Sequence, residues 1–105
     1  MTDKELLEQA AKAAGIEFIA ADNDALLLDQ NGSYWNPLHD DGDALRLAVK
    51  LGMNIYTGHK RASAEIISDS DEPSICITML HDNDPYAATR RAIVRAAAEI
   101  GKELK

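Results

Sequence analysis

From Asp84 to Leu104 the chain carries the pattern that most restricts its fold. An aspartate and a proline are followed by Ala88, Ala92, Ile93, Ala96, Ala97, Ile100 and Leu104 at helical spacing. An aspartate at an N-cap accepts an orphan backbone N–H, and a proline at the first helical position lacks only a donor that would have had no partner. A helix starting at residue 85 with one buried stripe of small side chains is the strongest expectation. Its many alanines imply a close approach of this helix to a sheet.

Two further helices are expected. Thr2 and Glu5 stand at capping-box spacing ahead of a helix over residues 4–14, with Leu7, Ala10, Ala11 and Ala14 as its apolar stripe and Gly15 as its stop. Asp40, Asp41 and Asp43 introduce another that runs to about residue 51 and stops at Gly52. Carboxylates favour the positive end of a helix dipole. For this second helix the expected core face is Leu45, Ala48 and Val49, widened by Ala44 and Leu51.

Elsewhere the period drops to two residues, which is the mark of strands. Ile16, Phe18 and Ala20 alternate with Glu17 and Ile19, and after the turn-prone run Asp22-Asn23-Asp24 the short apolar run Leu26-Leu27-Leu28 completes a hairpin. Met53, Ile55 and Thr57 form one later set, Ala62, Ala64 and Ile66 a second, and Ile75, Ile77 and Met79 a third. The acidic loop over residues 68–73 separates the last two. Sequence neighbours usually pair, so these three strands are expected to form an antiparallel meander. The order is α-β-β-α-β-β-β-α, an α+β domain of about five short strands with helices on one or both faces of the sheet. Ile19, Leu27 and Ile67 put apolar residues on the second side of the strands.

A chain of 105 residues with 46% hydrophobic and 28% charged residues fits one domain with one core. Its 11 Lys and Arg against 18 Asp and Glu give a net charge of −7. Such a surface disfavours phosphate backbones and anionic lipid, so neither generic nucleic acid nor membrane is an expected partner. No stretch reaches the roughly 18 apolar residues that a membrane span requires. The amino-terminal residues alternate charge with apolar side chains, unlike a secretion signal. With Cys76 as the single cysteine, no intramolecular disulfide can form. The expectation is a protein of a reducing cytoplasm.

Two segments are similar to a known family. WNPLHDDGDALRLAVKLG (35–52) and YAATRRAIVRAAAEIG (86–101), together with Ala13-Ala14-Gly15-Ile16, resemble the small uncharacterised proteins of tailed bacteriophages and prophages that carry a phage ABA-sandwich domain. The resemblance covers the helices and about half of the chain. It implies a three-layer α/β/α sandwich and the cytoplasm of a bacterial host. It implies no activity, ligand or catalytic residue.

Candidate chemistry is sparse. Tyr34, Trp35 and Asn36 sit just ahead of an acidic helix entry and could form a partner-contacting aromatic loop, since Trp and Tyr dominate binding hot spots. The ordinary reading is that Trp35 and Leu38 close the open end of the core while Asn36 and Pro37 shape the helix entry. Arg90, Arg91 and Arg95 could receive an anion; ordinarily they form a solvated helix face in which Arg95 pairs with Glu99. His39 with Asp40, Asp41 and Asp43, and His81 with Asp82 and Asp84, follow no metal-ligand spacing, and helix capping already accounts for the aspartates. No metal or cofactor is expected. Cys76 would need a nearby base such as His59 or His81 to act as a nucleophile, and a lone strand cysteine is ordinarily a small buried residue.

These features favour a non-catalytic phage or prophage accessory protein that binds a host or phage macromolecule, chiefly a protein. The alternative is a small-ligand protein that sequesters a nucleotide-type signal of host defence, resting on Tyr34, Trp35 and the three arginines. A hydrolase or transferase has the weakest support. The meander must end in an open strand edge unless something covers it, and a homodimer is one common cover.

Overall fold

In the computed structural model, which describes residues 2–66, 75–81 and 83–104, helix α1 spans Asp3–Ala14. The Thr2 hydroxyl accepts the Glu5 N–H at 3.1 Å, and the Glu5 carboxylate reaches back to the Thr2 N–H, completing the expected capping box. Gly15 ends the helix at φ +71°, a left-handed conformation that a side chain would resist.

Three short strands follow: β1 (Ala20–Ala21), β2 (Leu26–Leu27) and β3 (Tyr34–Trp35). They form one antiparallel sheet in sequence order, with Leu26 opposite Trp35 and Leu27 opposite Tyr34. The hairpin is as expected, although its first strand is shorter: Ile16 and Phe18 lie outside it and pack against the core. β3 was expected to be loop. A two-residue strand leaves no periodicity to read, and its pairing depends on the preceding turn. There the Asp29 carboxylate accepts the Asn31 and Ser33 N–H groups, and the Leu28 N–H donates to the Ser33 carbonyl. Asp22 closes the β1–β2 turn likewise, through the Asp24 and Ala25 N–H groups. Bonds from Ala25 and Asp24 hold the Asp22 carboxyl below its usual range, and the Ser33 N–H does the same for Asp29. Depressed carboxylates lend stability above the ordinary carboxylate range and lose it as pH falls through their folded pKa.

Helix α2 covers Asp41–Lys50, capped by Asp40, whose carboxylate accepts the Asp43 N–H at 2.8 Å. Its buried face is Ala44, Leu47 and Ala48, whereas Leu45 and Val49 are exposed. This corrects the expected core face. Apolar residues at 44, 45, 47, 48, 49 and 51 wrap most of the helix, so the spacing alone permits more than one stripe; packing selects 44, 47, 48 and 51.

Strands β4 (Asn54–Thr57), β5 (Arg61–Ile66) and β6 (Ile75–Leu80) build the expected antiparallel meander, in the order β4-β5-β6. The loop over residues 68–73, with Ile67 and Ser74, lies outside the described residues. Register puts Ile55, Ala64 and Ile77 on one face with Thr57, Ala62 and Met79, and Ile66 with Ile75. Helix α3 (Pro85–Gly101) packs on that face. The opposite face, with Tyr56, Cys76, Thr78 and Leu80, is largely exposed. The architecture is α+β, with three helices and six antiparallel strands among the described residues. The layering implied by the resemblance is refined, because within the described residues the helices gather on one face of the meander.

α3 is buried on more than the single stripe expected. Ala88, Ala92, Ile93, Ala96 and Ala97 are buried as anticipated, Leu104 is exposed, and Val94, Ala98 and Gly101 are also buried. Those three continue the line of Arg91, which bonds Asp3 of α1, so α3 is enclosed between α1 and the sheet. One core joins both sheets and all three helices through Leu7, Leu26, Trp35, Leu47, Ala64 and Val94. Asp84 caps α3, its carboxylate accepting the Ala87 N–H at 2.9 Å. Asp84→Ala is expected to lower stability by about 0.5–2 kcal/mol in a urea titration.

Candidate functional site

The aromatic segment is not an open loop. Trp35 is only 6% exposed and packs in the core with Leu38, while Tyr34, its neighbour on β3, points outward. The Asn36 N–H donates to the Asp43 carboxylate at 2.9 Å, and the Asn36 side chain meets His39 Nδ1 at 2.9 Å. Its carbonyl accepts the His39 and Asp40 N–H groups. Trp35 as an accessible binding residue is thus corrected: β3 pairing turns its ring inward opposite Leu26. Asn36 shapes the entry to α2.

The three arginines also part company. Arg90 is a tie between helices: its Nε donates to the Leu38 carbonyl at 2.9 Å and its Nη1 to the Asp41 carboxylate at 2.6 Å. Arg91 bonds Asp3 at 2.8 Å. Arg95 points its Nη1 at the Met79 sulfur at 3.5 Å and has no carboxylate partner among the described residues. The expected Arg95–Glu99 pair is replaced by Glu99–Lys102 at 2.8 Å, and that hydrogen bond raises the Lys102 pKa. Arg91, Arg95, Glu99 and Leu6 line a depression of about 240 Å³; Arg90 is not part of it.

The aspartates beside His39 are engaged in local structure. Asp40 caps α2, Asp41 pairs with Arg90, and Asp43 holds both the Asn36 N–H and Arg46. Among the described residues, no three His, Cys, Asp or Glu side chains converge on a point suited to a metal. Asp82, part of the second acidic group, lies outside the described residues. Cys76 is exposed, opposite Glu65 on the open face of the sheet, and not the small buried residue expected of it.

The feature that sequence reasoning passed over is a groove between α2, β4 and α3. Its walls are Ala44 and Leu45 of α2, Ile55 and Thr57 of β4, and Tyr86 and Ile93 of α3, around about 340 Å³ of open space. The Asp41–Arg90 pair stands at its edge. Leu45 is 63% exposed, Val49 71% and Tyr86 68%. A contiguous patch of this kind on a small protein more often marks an interface than scattered apolar residues do. The signal was present in the surplus of apolar residues on α2: with 44, 47 and 48 buried and 51 packed against the core, 45 and 49 remain outside. The strand edge beside them is open, since β4 has β5 on one side and no described strand on the other.

Comparison of the chain with protein-family models, with curated proteins and with solved structures gives no match.

Proposed function

We propose that this chain is a non-catalytic phage or prophage accessory protein that works in the cytoplasm of the host cell by binding a protein, host or phage, through the α2–β4–α3 groove. The observation that carries the reading is the groove itself. A chain with a net charge of −7 keeps Leu45, Val49 and Tyr86 in solvent beside β4, whose outer edge pairs with no described strand, and folding of the monomer gains nothing from them. Aromatic and aliphatic side chains clustered at the centre of a patch supply most of the energy of protein docking.

The test is affinity capture from a bacterial lysate with the wild type and with Leu45→Glu/Val49→Glu. Both positions are exposed, so the variant should keep its stability within roughly 0.5 kcal/mol, as surface changes usually do. A captured protein lost with the variant supports the reading, and capture that is indifferent to it removes the groove from the function. A second reading, a small anionic ligand, draws support from Arg95 alone. Native mass spectrometry of protein purified from cells separates the two: a bound small molecule lost with Arg95→Ala favours the second.

A further inference from the structure

We infer that the groove and the open edge of β4 are covered by a second copy of this chain, the two β4 strands pairing antiparallel about a two-fold axis at Tyr56. This rests on reading the groove as a protein-docking surface and names its occupant. The register argument starts at the β4–β5 turn. Gly58 and Arg61 flank the two-residue loop His59-Lys60, and the Gly58 N–H donates to the Arg61 carbonyl at 2.8 Å. Hydrogen-bonded pairs alternate along an antiparallel ladder, so Tyr56–Ser63 and Asn54–Glu65 are bonded pairs. Ile55 and Thr57 fall at the intervening positions. Their N–H and C=O groups therefore point away from β5 to the open edge.

That edge is self-complementary. With Tyr56 on the axis, Ile55 of one copy stands opposite Thr57 of the other, and each such pair exchanges both of its bonds, about four ladder bonds in all. Ile55 and Thr57 are also groove residues, so the strand that satisfies the backbone brings apolar side chains to the same rim. The backbone and the apolar patch then share one occupant.

The area agrees. On the groove side Tyr86 is 68% exposed, and on the other face of the sheet the two-fold sets Tyr56, 59% exposed, beside its copy; a whole tyrosine offers roughly 150–250 Å². Leu45, Val49 and Ile55 add three aliphatic side chains on the groove side, so the two faces together offer roughly several hundred Å². A specific dimer buries on the order of 800 Å² per partner, and the strand backbone with its flanking residues supplies the remainder. Two copies each carry −7, so their repulsion is screened by salt and the dimer should strengthen as ionic strength rises.

Sedimentation equilibrium of the full chain tests this, with Leu45→Glu and Thr57→Pro as variants. Proline at 57 deletes an outward N–H, a place where an edge strand tolerates it. Circular dichroism and a urea titration establish that each variant is folded. The expected result is a species of twice 11.4 kDa that dissociates on dilution, with both folded variants at least tenfold weaker in self-association. A monomer at every concentration up to about 1 mM, the weak end of measurable association, overturns the inference. So does a dimer that both variants leave intact. A monomer that still loses a captured lysate protein on Leu45→Glu/Val49→Glu overturns self-pairing and leaves the docking reading in place; loss of groove dependence in both assays removes both.

Discussion

Trp35→Ala is expected to lower unfolding free energy by about 3–5 kcal/mol, the usual penalty for emptying a buried aromatic site. The ring is 6% exposed and sits in the same cluster as Leu26 and Leu38. Leu26 is fully buried beneath it and directly opposite on the neighbouring strand, so the cavity would open between β2 and β3 at the end of the core. Two-residue strands have few ladder bonds to hold that end together, which makes collapse around the cavity costly to the pairing as well. A urea titration measures the loss through the midpoint at unchanged slope. A change within about 0.5 kcal/mol, the range of ordinary surface substitutions, would return Trp35 to the surface. Tyr34→Ala is the internal comparison: its ring points to solvent on the same strand, and little stability should go with it.

Trp35 also shows where the sequence was legible and where it was not. Signals that act within four or five residues were readable: the Thr2–Glu5 capping box, Gly15 as a left-handed stop, the Asp40 and Asp84 caps, and the two-residue period of β4 and β5. Each is a local backbone demand met by a local side chain. Features decided by tertiary packing were not readable. Whether Trp35 faces in or out depends on β2 lying beside it, and which stripe of α2 is buried depends on where α3 stands. The arginines make the same point, since Arg90, Arg91 and Arg95 are close in sequence yet find Leu38 and Asp41, Asp3, and Met79 on different elements. The groove combines both limits: its apolar residues were visible, but their exposure follows only from the assembled helices.

The alanines of α3 are expected to permit close approach to the sheet, and α3 packs on β5 and β6; at Gly101 it also lies close against a helix. At Gly101 a methyl group would lie 1.8 Å from the Gln9 carbonyl oxygen and 2.6 Å from its carbon, far inside contact distance. Those are backbone atoms of α1 and cannot rotate aside. Gly101→Ala must therefore separate α1 from α3 or bend one of them. Overpacking of this kind costs about 1–3 kcal/mol and sometimes more. Helix propensity pulls the other way, because alanine is favoured over glycine by about 1 kcal/mol inside a helix, though less at its last residue. Gly101 does not have a positive φ, so alanine meets no backbone strain of its own there, and the sign of the change weighs the contact against that propensity gain. The expected outcome is a net loss of about 1–3 kcal/mol in urea on that same overpacking penalty. A loss should weaken the α1–α3 seam in particular, read as faster hydrogen exchange at Leu6, Leu7, Ala10 and Ala98 than in β5. A gain in stability would mean that α1 and α3 lie farther apart than the Gln9–Gly101 contact requires.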